Sequence, residues 1–328
     1  MPPSQPPARA RDLGVLIGTL PTGPLNAITD VPGVRVGQTT IDDGADLHTG
    51  VTAIVPADYR GLPAAVAVGN GYGKLVGSTQ VDELGVIETP ILLTGTLSVF
   101  RVADALLTWL LDRDPAATSL NPVVGETNDG FLSDIRRRPI TPEHVVAALD
   151  SASADLPAEG CAGAGTGTCA LGFKAGIGTA SRRLSNGGVL GVLVQANFSG
   201  TLTVLGTPIP ATEAVGEPGG NSCMIVVATD LPLDARQLGR VARRAVFAMG
   251  RVGSDFAPGS GDYAIAFSTT RSAAFDEGEL RGVFQATTEA VEEALLNSLT
   301  AAHSVTGYQG HTRYAVPHHL VTAASTQL

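Results

Sequence analysis

The chain has 328 residues, of which 44% are hydrophobic and only 16% charged, with 40 glycines spread along it. Such a composition builds a compact, turn-rich globule and excludes a disordered chain. A formal net charge of −10 makes nucleic acid and anionic membrane surfaces poor partners, while a cationic group on a substrate would be tolerated.

In chain order, the first segment, MPPSQPPARARDLG, is proline-rich and lacks the apolar stretch of a secretory signal, so residues 1–22 read as a mobile tail. No run reaches the roughly 18 apolar residues that a membrane span needs, and the expected compartment is the cytoplasm. Residues 23–317 read as a single domain, followed by a tail, 318–328. Short β-rich runs occur at Val51–Pro56, Ala64–Val68, Ile91–Leu93, Val189–Gln195, Cys223–Ala228 and Tyr263–Ser268. Most are continuously apolar, as in strands covered on both faces. Helical periodicity predicts helices over Val102–Leu111, Pro142–Ser151, Ala235–Met249 and Glu277–Ala302, the last with a polar face carrying Glu289, Glu292 and Glu293. Together they imply layered α/β architecture with helices on both sheet faces. Pro208–Gly220 reads as a linker that runs directly into Asn221–Ser222.

Ser222 stands just before an apolar strand. If the bond preceding it breaks, hydroxyl and new α-amine occupy one residue. An α-amine titrates near about 7.7, against about 10.4 for lysine, so a useful fraction is neutral at neutral pH and can accept the hydroxyl proton. Alone, a serine at a strand start is ordinarily structural. No G-x-S-x-G elbow occurs, and none of the six histidines sits in a triad or metal pattern. Cys161, Cys169 and Cys223 form no C-x-x-C pair and read as small buried thiols. Cys223 should point to the opposite face of its strand from Ser222. The glycine run GAGTGT fits no phosphate-binding pattern, and we assign neither cofactor nor metal; its expected use is close backbone approach near the site.

Many ordered segments carry a family resemblance between about Gly23 and Pro317. They are GPLNAITDVPGVRVGQTTI, HTGVTAIVP, GNGYGK, ETPILLTGTLSV, NPVVGETNDGFLSDI, GAGTGT, KAGIGTASR, GVLVQANF, GNSCMIVVATDLPL and GSGDYAIAFST. The chain resembles the DmpA-type aminopeptidases, which include the β-peptidyl aminopeptidases. The resemblance implies a four-layer αββα sandwich of the DmpA/ArgJ-like kind. It implies scission at Asn221–Ser222 into an α chain (1–221) and a β chain (222–328), with Ser222 as nucleophile. It further implies that Asn197 helps form the oxyanion hole and that Ser260 and Asp262 relay protons or orient the amine. Glu126 would anchor the ammonium of a small peptide or amide substrate. The segment ETNDGFLSD has no tyrosine, although some members use one near this site; Phe131 keeps an aromatic ring without the hydroxyl and joins Glu126 as an expected substrate-binding residue. Assembly as a homo-oligomer, a tetramer of αβ protomers, is likewise implied. Alternatives are an acyltransferase of the ornithine acetyltransferase type, which would pass the acyl group to an amine, and an uncleaved scaffold, which would stay whole on a denaturing gel.

Overall fold

A computed structural model describes residues 5–211, 221–272 and 274–326. Two main sheets contain β1 (Val34–Asp42), β2 (His48–Pro56), β3 (Leu62–Gly71), β4 (Leu75–Val76), β5 (Val86–Ile87), β6 (Ile91–Gly95), β7 (Val123–Thr127), β8 (Ile177–Arg183), β9 (Val189–Asn197), β10 (Asn221–Thr229) and β11 (Ser260–Ser268). The helices are α1 (Ser78–Leu84), α2 (Val99–Arg113), α3 (Pro142–Asp150), α4 (Ala235–Ala248), α5 (Leu280–Thr300) and α6 (His318–Ser325). One sheet has strand order β1-β2-β6-β7-β4 and the other β8-β9-β10-β11-β3-β5.

Three apolar cores separate the layers. Val51, Leu92, Val124, Leu106 and Val145 join the first sheet to α2 and α3. Ile54, Leu93, Met224, Val226, Ile265 and Phe267 fill the space between the sheets. Ile225, Val227, Ala264, Leu238, Val241 and Leu295 join the second sheet to α4 and α5. Burial on both faces explains why the strands are apolar throughout rather than alternating. Three cores between four layers give the αββα order, and each predicted strand and helix overlaps an observed one. Helix α4 starts where Asp234 accepts the Gln237 N–H at 2.6 Å while Gln237 accepts that of Asp234 at 3.1 Å, a reciprocal cap.

Several expectations need correction. Within the segment expected to be a tail, Ala10, Val15 and Ile17 are buried, and the Ala10 N–H donates to Asn297 Oδ1 on α5 at 2.8 Å. Three apolar side chains and a paired backbone group hold it down. At the other end, residues 318–325 form α6, with Val321 and Ala324 buried. The polar face expected on α5 is there, and it is buried: Glu289, Glu292 and Glu293 are held by Arg182, Arg251 and Arg11. Of the expected linker, Thr207–Ile209 pairs with Leu202–Val204 in a short hairpin; residues 212–220 lie outside the described residues. The GAGTGT run does approach other backbone closely, against β2 and β8: a Cβ at Gly167 would lie 2.1 Å from the His48 carbonyl oxygen and one at Gly165 2.3 Å from the Ile177 nitrogen.

Candidate active site

Ser222 lies in β10, between β9 and β11. Its antiparallel partner on one side is Asn197 and its parallel partner on the other is Gly261. Alternation along β10 sends Cys223, Ile225 and Val227 into the core under α4 and α5, and Met224, Val226 and Ala228 into the core between the sheets. Ser222 shares the second face and opens at its rim. Cys223 is fully buried on the first face, where burial raises its thiol pKa well above the usual thiol value, with the Asp262 charge adding to the effect. The expectation for Cys223 therefore holds, and a protonated, solvent-excluded thiol is a poor nucleophile.

The Ser222 hydroxyl donates to the carbonyl oxygen of Asn221 at 2.5 Å, so the side chain is folded onto the peptide group that precedes it. Asn197, on the same face, is buried with its amide fixed. Its Oδ1 accepts the Cys169 N–H at 2.9 Å and its Nδ2 donates to the Asn128 carbonyl at 3.0 Å. Those bonds set which end of the amide is nitrogen and, among the described residues, use one of its two N–H groups. A preset amide N–H beside a serine can stabilise a developing oxyanion.

Ser260 and Asp262 sit differently from Ser222. Register pairs Ser260 with Asn221 and Asp262 with Cys223, so both side chains lie on the α4 face. They flank the Ser222 backbone, not its hydroxyl. Ser260 Oγ donates to Asp262 Oδ1 at 2.7 Å, and Asn70 Nδ2 donates to Asp262 Oδ2 at 2.9 Å. Burial raises the Asp262 pKa, against the opposing bonds from Ser260 and Asn70. A bulge between β3 and β11, where Asp262 faces Asn70 but Tyr263 faces Val68, turns Asn70 toward that carboxylate.

A cavity of about 320 Å³ opens over Ser222, lined by Gly71, Tyr72, Gly73, Lys74, Thr96, Glu126, Asn128, Asn221 and Gly259. Glu126 enters it from the end of β7 and is 2% exposed. Its Oε1 accepts the Lys74 N–H at 3.0 Å and stands 3.7 Å from Lys74 Nζ. Its buried Oε2 accepts no hydrogen bond among the described residues. Burial raises its pKa, opposed by the Lys74 charge and the Thr96 hydroxyl. Glycine is needed at position 73, because a Cβ there would stand 2.9 Å from Glu126 Oε1.

Phe131 is not brought to this cavity. It stacks on His311 with ring centroids 4.6 Å apart and lies under the Arg313 guanidinium, a packing role that corrects its assignment to substrate binding. Aromatic groups near the cavity are instead Tyr72, which lines it, and Tyr263, whose ring packs against Gly73 and Gly261. Lys74, Tyr72, Thr96 and Asn70 escaped sequence reading. All lie in or beside GNGYGK and TGT, but nothing in their spacing says that two sheets bring them to one rim.

A family model for peptidase family S58 matches residues 26–313. The chain belongs to peptidase family S58. It is 40% identical to the β-peptidyl aminopeptidase BapA of Sphingosinicella xenopeptidilytica, over 94% of this chain and 89% of that one. It is 37% identical to the enzyme of the same name from Sphingosinicella microcystinivorans, over 94% and 90%. The solved L-aminopeptidase D-Ala-esterase/amidase of Ochrobactrum anthropi, described as a variant of the Ntn hydrolase fold, superposes with a TM-score of 0.89 at 37% identity, covering 97% of this chain and 98% of that one. The chain is thus a hydrolase, a serine aminopeptidase/amidase of the N-terminal-nucleophile type.

Proposed function

We propose that the chain cuts itself between Asn221 and Ser222 and then, through the freed Ser222, removes N-terminal residues from short peptides or amino-acid amides. The observation that carries this reading is the Ser222 hydroxyl at 2.5 Å from the carbonyl oxygen of Asn221, on the same sheet face as Asn197. Attack of Oγ on that carbonyl carbon, with its proton passing to the Ser222 nitrogen, breaks the C–N bond and leaves an ester. Water cleaves the ester to an Asn221 carboxylate and a free Ser222 hydroxyl and α-amine.

In turnover the amine takes the Oγ proton as Oγ attacks the substrate carbonyl, and the second N–H of Asn197 meets the oxyanion. The proton then goes to the leaving amine, and water hydrolyses the acyl-serine. Ser260 and Asp262, set beside the backbone at position 222, are suited to orienting the α-amine, not to touching the hydroxyl. Glu126, with one oxygen unpartnered among the described residues, is suited to the substrate ammonium through a charge-assisted hydrogen bond. The β-peptide activity in the relatives' names makes β-amino-acyl amides the first substrates to try.

The test is Ser222→Ala. Wild type should give two bands on a denaturing gel, with mass spectrometry placing Ser222 at the N-terminus of the smaller. The variant should stay whole and lose at least about 10⁴-fold in amide hydrolysis. A variant that still splits, or a β chain that begins elsewhere, overturns the reading.

A further inference from the structure

Lys74 has no place in the chemistry above, yet its ammonium faces the nucleophile's cavity. Nζ donates to Thr96 Oγ1 at 2.7 Å and lies 3.7 Å from Glu126 Oε1, too long for a hydrogen bond, so among the described residues its other protons remain available. Its side chain is 36% exposed where Glu126 is buried, so a ligand in the cavity can reach both. Glu126 contributes the only carboxylate among the described lining residues. A substrate head carrying an amine alone would bring a second cation to one buried anion, a net charge that costs binding energy. A head carrying a carboxylate on the same carbon as its amine restores neutrality, with four charges alternating in sign around Glu126 and Lys74.

We infer that the substrate class is the isopeptide: an acidic amino acid joined through its side-chain carboxyl, with α-amine and α-carboxylate both free. The inference rests on the proposed hydrolase reading and adds Lys74 as the residue that reads the α-carboxylate. In a β-aspartyl peptide the carbon bearing both charges is one methylene from the scissile carbonyl, so the amine has the β placement. In a γ-glutamyl peptide it is one methylene further away. Ser222 would carry the aspartyl or glutamyl acyl group as an ester, and one water would release the free amino acid while the second residue leaves as an amine. Thr96 supports the assignment, because its hydroxyl holds Nζ at the cavity wall instead of letting it close onto Glu126.

The experiment compares kcat/KM of the self-cleaved protein for β-aspartyl-alanine, γ-glutamyl-alanine and β-alanyl-alanine, the last being the β-aspartyl compound without its carboxylate. An isopeptide should exceed β-alanyl-alanine by roughly 10- to 100-fold, the worth of a charge-assisted bond, and whichever isopeptide wins fixes the spacing. In Lys74→Met that ratio should collapse to about one, with the change carried in KM, and Lys74→Arg should restore it in large part. A wild-type preference for β-alanyl-alanine, or a ratio that Lys74→Met leaves intact, overturns the isopeptide assignment while the hydrolase reading stands. A chain that cleaves itself but hydrolyses none of the three, nor any amino-acid amide, overturns both.

Discussion

Glu293 and Glu126 are both buried carboxylates, and the chain surrounds them in opposite ways. Glu293 receives Arg11 Nε at 2.7 Å, Arg182 Nη2 at 2.7 Å and Asn26 Nδ2 at 2.5 Å. Burial would push its pKa up, but the bonds and charges of Arg11, Arg182 and Asn26 outweigh it and hold the carboxyl below its ordinary value. Glu126 has one backbone N–H, a lysine beyond bonding distance and the Thr96 hydroxyl to oppose its burial, its second oxygen has no partner among the described residues, and burial wins. Nearby Asp129 is more extreme: both oxygens are buried with no hydrogen-bond partner within bonding geometry among the described residues, and burial pushes its pKa up to about 6 against the Thr49 hydroxyl, the Glu126 charge adding to the rise. A charge that is fully paired ties the N-terminal segment to α5 and β8. A charge left short of partners beside a cavity keeps its capacity for a ligand, at a cost in stability.

Substitution at the two sites should separate these roles. Glu126→Gln should lower kcat/KM for amine-bearing substrates by about 100-fold or more while the denaturant midpoint holds or rises, since a neutral amide is cheaper to bury. A fall in stability with unchanged kinetics would reverse the assignment. Glu293→Gln should do the opposite: about 3 to 5 kcal/mol lost in urea unfolding, because Arg11 loses its anion and Arg182 keeps only Glu289, with turnover per folded molecule kept.

The smallest effect separates the regions by pH. Asp129 has a folded pKa of about 6, above its unfolded value, so its stabilising contribution is complete below the unfolded pKa and is lost as pH rises through 6. Asp129→Asn should therefore gain about 1 to 3 kcal/mol over wild type at about pH 8, a gain that shrinks toward zero near pH 4. Glu293 behaves inversely. Its depressed pKa contributes stability above the ordinary carboxylate range, and that contribution is lost as pH falls through its folded value. Unfolding curves for Asp129→Asn that track wild type at both pH values would show that Asp129 finds partners in solution.

Much of this was legible in the residues. Continuous apolar runs marked the strands because both sheets are covered on both faces, and period-3.6 patterns marked α2 to α5. The opposite orientation of Ser222 and Cys223 follows from strand alternation alone. The polar face of α5 is legible in the sequence but its burial is not, because periodicity reports polarity and is blind to Arg182, which approaches from a strand over 100 residues away. The place of Phe131 is hidden for a similar reason: Glu126 and Asn128, a few residues before it, line the cavity, but its own ring is claimed by His311 and Arg313.

What the sequence determined by itself was local: which segments pair and pack, where an apolar strand begins at Ser222, and that Asn221 precedes it. The tertiary structure alone decided which groups meet. The register of β9 against β10 sets Asn197 across from Ser222, and that of β11 puts Ser260 and Asp262 on the far face beside the backbone. Packing of one sheet on the other brings Glu126 and Lys74 to the cavity over Ser222. Register and layer packing are set by long-range burial, which fixes side chains in space while leaving no mark in the spacing of residues along the chain.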